Sequence, residues 1–130
     1  MIIDRAALSD AEEIRALQKI AYVSEAEIYN DYSIEPMVQP LAEVQEQFEN
    51  YIFLKAVVNG SIVGSVRGLL KERTCHIGKL IVHPNHQNLG IGEQLMLKIE
   101  SFFDRPIRYE LFTGNKSEKI FDYMRKLATK

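Results

Sequence analysis

The sequence predicts a mixed fold of the α/β class, α+β in type, with helices flanking a central sheet. Three observations carry the prediction: β-rich runs on both sides of Asn59-Gly60, apolar residues at helical spacing before and after that block, and a further β-type run beyond Pro106. Residues 1–4 read as a short strand. Ser9 and Glu12 have capping-box spacing ahead of Ile14, Leu17 and Ala21, which share one face of a first helix. The polar, tyrosine-bearing stretch 25–37 interrupts that periodicity and reads as a loop. Pro40 suits the first turn of a second helix carrying Leu41, Val44 and Phe48 on one side.

Residues 51–70 read as two strands joined at Asn59-Gly60, a dipeptide that tolerates the positive φ values of a two-residue hairpin. Another strand spans 74–82 after a polar turn at Lys71-Glu72-Arg73, and Pro84 ends it. Ile91, Leu95, Ile99, Phe102 and Phe103 follow helical spacing over 90–103, and Pro106 separates them from a strand at 107–113. Ile120, Phe121, Met124 and Leu127 place a last helix over 117–127. The order is strand, two helices, three strands, helix, strand, helix.

Composition narrows the class. The 130 residues fit one domain, 1–130, able to bury about two thirds of its unfolded surface, and no repeat or linker divides them. Sixteen Lys and Arg against 18 Asp and Glu give a net charge of -2, with no basic field for a nucleic-acid backbone or an anionic membrane. The single cysteine, Cys75, has no internal disulfide partner and suits a reducing compartment, which points to the cytoplasm. The N-terminus lacks the basic and apolar regions of an export signal, and no apolar run reaches membrane-span length.

The run 79–96, Lys-Leu-Ile-Val-His-Pro-Asn-His-Gln-Asn-Leu-Gly-Ile-Gly-Glu-Gln-Leu-Met, combines a strand, a polar loop and a glycine-bearing helix start. Unpaired N–H groups at a helix start, with glycines permitting close approach, suit a phosphate. No Gly-Lys-Ser/Thr follows, which excludes a Walker loop, and Leu95 replaces the third glycine of a dinucleotide fingerprint. Val82-x-Pro84 followed by Gln87-x-x-Gly90-x-Gly92 resembles the acetyl-CoA-binding motif of the Gcn5-related N-acetyltransferase (GNAT) family, and the element order agrees along nearly the whole chain. The resemblance implies a mixed, mostly antiparallel sheet whose motif strand splays from the next one. It implies that Leu80, Ile81 and Val82 offer backbone contacts to the acetyl-pantetheine arm. It further implies that Gln87, Asn88, Leu89, Gly90, Ile91 and Gly92 hold the pyrophosphate, with Asn115 and Ser117 near the CoA arm or forming an N-cap pair.

The family chemistry is direct attack of a neutral amine on the thioester. His76, on the strand leading into Leu80, is the candidate base; a histidine that only faces solvent is the other reading. Cys75 and His76 point to opposite faces of a strand and form no nucleophile–base dyad. His83 and His86 have metal-like spacing without a third ligand and read as a solvated loop, so no metal is expected. Tyr29, Asp31, Tyr32 and Glu35 lie in the segment that lines the acceptor site in relatives, where acidic groups favour a cationic amine.

Two departures from the family stand out. The position of the tyrosine that commonly protonates the leaving thiolate aligns with Met124; Tyr123, one place earlier and about 100° around the helix, is the candidate acid if the helix is rotated or shifted, and a surface or core tyrosine is the other reading. The chain also stops at Lys130, where relatives usually continue with two more strands; an exposed last strand would favour a homodimer. The expected function is an acetyl-CoA-dependent N-acetyltransferase acting on a small-molecule or peptide amine. The alternative is a GNAT-like acetyl-CoA-binding or interaction module with impaired catalysis.

Overall fold

The computed structural model describes residues 1–71 and 74–103 and the backbone of 108–112. The expected last helix lies outside them, and with it Asn115, Ser117, Tyr123 and Met124. One sheet runs in chain order: β1 (Ile2–Arg5), β2 (Ile52–Val58), β3 (Ser61–Lys71), β4 (Thr74–Val82) and β5 (Arg108–Phe112). The first four strands pair antiparallel, and β5 pairs parallel with β4. Between β2 and β3 a tight hairpin sets the antiparallel relation, Asn59 at φ 52° and Gly60 at φ 80° reversing the chain, whereas β1 reaches β2 through the helices of the first third. Helix α4 (Ile91–Glu100) explains the parallel relation, because a parallel return needs a crossover.

The strands alternate residues between two cores. On one face Leu54, Ala56, Val66, Cys75 and Ile77 pack against Ile91, Leu95, Met96, Ile99 and Phe103. Each fully buried Leu or Met contributes about 1.5–3 kcal/mol. Close seating of α4 depends on Gly64 and Gly68: a Cβ on Gly68 would stand 2.9 Å from a Phe103 ring carbon and 3.1 Å from Ile99 Cγ1. Gly68→Ala is therefore expected to cost about 1–3 kcal/mol by overpacking, read as a lowered urea midpoint.

On the other face Phe53, Ile62 and Ile81 meet Ile14 and Leu17 of α1 (Ala11–Tyr29) and Val44 of α3 (Leu41–Gln47). Glu13 ties α1 to the sheet by accepting from the Ile62 N–H at 2.8 Å.

The chain departs from the sequence reading in its first third. Ser9 does not cap α1. Residues Leu8–Asp10 form a short 3-10 turn in which Asp10 Oδ2 accepts from the Ala7 N–H at 2.8 Å and binds Lys55 Nζ at 2.9 Å. Asp10 thus serves a tertiary ion pair as well as a local turn, which spacing alone does not reveal. Residues 25–29 are helical, not loop: α1 runs to Tyr29 and ends where Asn30 takes φ 50°. The helix continues its buried face through Ala26, whose methyl is too small to register as an apolar anchor. A further short helix, α2 (Glu35–Val38), occupies the expected loop, and Pro40 stands just before α3.

Candidate active site

Strand β4 changes character halfway. Thr74 to Gly78 pair with β5, in register with Arg108 to Phe112, the last described residue of that strand. On the β3 side Ser65 faces Ile81 and Arg67 faces Gly78, so Val66 of β3 lies opposite two residues of β4, Lys79 and Leu80. The extra residue is a bulge, with Lys79 at φ 48°, and a bulge bends its strand and increases its twist. Among the described residues, 79–82 therefore pair only with β3. The His83 N–H donates to the Val63 carbonyl at 2.7 Å, which sets the phase of the ladder. By the antiparallel alternation, the Ile81 peptide groups turn to β3 and those of Leu80 and Val82 turn away from it. The Ile81 side chain is buried in the α1-side core.

The loop beyond β4 leads directly to α4. His83 Nδ1 accepts from the Asn85 N–H at 3.1 Å, and the rings of His83 and His86 meet edge to face at 5.7 Å. Both histidines shape the Pro84–His86 turn, and among the described residues no three His, Cys, Asp or Glu come together as a metal group. Gln87 reaches back to the Val82 carbonyl at 3.5 Å, and Leu89 is exposed. Asn88 at φ 66° and Gly90 at φ 81° turn the chain into the helix. The first helical bond is from the Gln94 N–H to the Gly90 carbonyl, 3.0 Å, and Gly90, at the N-cap, has no side chain with which to cap the helix. The N–H groups of Ile91 and Gly92 thus lie ahead of the helix's own acceptors. A Cβ on Gly92 would be 3.7 Å from Leu80 and 3.9 Å from Val82, so the helix start and the open strand lie side by side. The arrangement can take an extended ligand along β4 with an anionic group at the helix start.

A model of the acetyltransferase (GNAT) family matches residues 11–119, most of the chain. The chain belongs to the GNAT family. Solved structures share the fold of this GNAT protein at low identity. A mutant of the BH1408 protein of Bacillus halodurans is similar at TM-score 0.78 and 21% identity, over 98% of this chain and 91% of that one. An acetyltransferase of the GNAT family from Staphylococcus aureus is similar at TM-score 0.72 and 22% identity, over 97% and 82%. The PaiA N-acetyltransferase of Thermoplasma acidophilum, solved in complex with coenzyme A, is similar at TM-score 0.67 and 18% identity, over 98% and 89%. Comparison with curated proteins found no match.

Around the bulge this GNAT chain carries a polar cluster that spacing does not disclose. Lys79 Nζ binds Glu35 Oε1 at 2.7 Å, joining β4 to α2. Arg67 is buried on β3, stacked 4.5 Å from the centroid of Phe53, and donates to Gln47 Oε1 at 2.6 Å and Gln18 Oε1 at 2.8 Å. Gln18 Nε2 in turn donates to the Pro36 carbonyl at 2.9 Å and to Gln39 Oε1 at 3.0 Å. Arg15 donates to the Gln39 carbonyl at 2.8 Å. The network fastens α2 to α1, and α2 holds Glu35 against Lys79. Burial lowers the Arg67 pKa to about 10 and raises that of Tyr22, with Glu25 adding to the rise, to about 12.

The remaining expected residues are spread out. His76 is half-buried on β4 before the bulge, opposite Leu69 and, across the parallel ladder, Glu110. Alternation turns it away from buried Cys75, whose thiol burial pushes up to about 12. Tyr29 ends α1, and Tyr32 is exposed in the following turn. Asp31 accepts from the Ser33 N–H and hydroxyl, which hold its carboxyl below the usual value. Within that segment it is Glu35 that bonds to β4. A sequence signal existed for two of the cluster residues: Arg67 interrupts an apolar strand at 61–70, and Lys79 follows Gly78 within another.

Proposed function

We propose that the protein transfers an acetyl group from acetyl-CoA to a primary amine by direct attack. The observation that carries the reading is the bulge in β4. It lies at Lys79, next to Leu80 and Val82, whose peptide groups turn away from β3 and whose side chains lie beside the glycine-led start of α4. The coenzyme A complex of the similarly folded PaiA supports the choice of cosubstrate. The open peptide groups of β4 take the pantetheine arm, the N–H groups of Ile91 and Gly92 take the pyrophosphate, and the Leu80 N–H stabilises the thioester oxyanion. A primary amine with a pKa of about 10.4 must lose a proton before it attacks. His76 and Glu35 are the groups near the bulge able to accept it. The buried Cys75 thiol agrees with a reducing, cytoplasmic setting.

Calorimetry with acetyl-CoA, followed by thiol release over a panel of amines, tests the reading. Saturable binding and amine-dependent release are expected. Binding without release would favour the impaired-module alternative, and no binding at millimolar ligand would remove both.

A further inference from the structure

Lys79 stands where three features of the fold meet. It is the bulge residue, a lysine at φ 48°, a conformation that side chains other than glycine adopt at a cost of order 1–3 kcal/mol and that clusters at functional sites. Its neighbour Leu80 turns its peptide groups away from β3. Its ammonium is shielded, with the side chain 16% exposed, yet it is bonded to a carboxylate that is 55% exposed, Glu35 at 2.7 Å. A partly buried amine, an exposed proton acceptor and peptide groups facing away from β3 are thereby gathered at one position.

We propose that Lys79 is an acetylation site of the chain itself, its Nζ accepting the acetyl group from acetyl-CoA bound along β4. The inference rests on the acetyl-CoA reading above. The Lys79 ammonium gives a proton to Glu35, which passes it to water. The neutral Nζ, on a flexible stem, leaves Glu35 and attacks the thioester carbon. The new C–N bond forms with the oxyanion at the Leu80 N–H. The C–S bond breaks, and the departing thiolate takes the second proton, leaving acetyl-lysine and free CoA thiol. Burial lowers the Lys79 pKa despite the opposing effect of Glu35, which enlarges the neutral fraction. The product is a neutral amide without an ion pair, so acetylation releases α2 from β4 and leaves it held by the Gln18 network alone.

The full chain is incubated with acetyl-CoA at about pH 8, and acetylation at each lysine is followed by peptide mass spectrometry. Binding is measured in parallel by calorimetry. Lys79 is expected to gain an acetyl group at least about tenfold faster than exposed Lys71 and Lys98, as a positioned amine should. Unfolding in urea is expected to erase the difference. Glu35→Gln is expected to slow Lys79 and leave Lys71 and Lys98 unchanged. Acetyl-CoA binding with Lys79 no faster than the exposed lysines overturns the proposal and leaves the acetyltransferase reading standing. Absence of binding overturns both.

Discussion

Gly92→Asp is expected to remove acetyl-CoA binding while leaving the fold at least as stable. The position lies in the first turn of α4, and an added Cβ meets Leu80 and Val82 at 3.7 and 3.9 Å, ordinary contact distances. A carboxylate in a first helical turn gains about 0.3–1 kcal/mol from the helix dipole, so the melting temperature should hold or rise. The same carboxylate occupies the N–H groups that a pyrophosphate needs and repels its charge. A loss of about 100-fold or more in affinity follows if two or three charge-assisted hydrogen bonds disappear, at about 1.5–3 kcal/mol each. Calorimetry beside a thermal melt separates the two effects. Unchanged affinity in the variant would place the anionic end of the ligand elsewhere.

Arg67→Ala is expected to be the most damaging single truncation in the described structure, at about 3–4 kcal/mol. Removal of the guanidinium leaves the buried Gln18 Oε1 without its donor, takes from Gln47 Oε1 the closer of its two donors, and strips the Phe53 ring of its covering cation. It also opens a cavity between α1, α3 and the sheet. For a domain of this size the melting temperature should fall by about 10 °C. Arg67→Met keeps most of the volume and removes a charge that burial already disfavours, since the pKa is lowered to about 10. Its loss should be well under half that of Ala. Equal losses in both variants would mean that the hydrogen bonds, not packing, carry the stability. Because Gln18 also holds Pro36 and Gln39, the Ala variant should loosen α2 and raise hydrogen exchange there before the sheet opens.

The parts of the fold that follow from local pattern were legible in the sequence. Asn59-Gly60 specifies its hairpin because only residues tolerant of positive φ close a two-residue turn, and both adopt it. The spacing of Ile91, Leu95 and Ile99 places α4 because one face must be apolar to leave water. Gly90 and Gly92 were legible as a helix start open to an anion. The end of α1 was not, since Ala26 buries a face without the bulk that makes periodicity visible. Nor was the cap, since Asp10 is recruited by Lys55 from far along the chain.

What the sequence alone determined is the succession of strands β1 to β5, the α+β class and the GNAT motif from Val82 to Gly92, all set by interactions among near neighbours. Only the tertiary structure decided that Lys79 carries the bulge in β4 and that Glu35, Arg67 and Gln18 gather beside it. A bulge is a mismatch between two strands, and a buried network joins residues from helices and strands distant in sequence. Neither has a period that one stretch of chain can display.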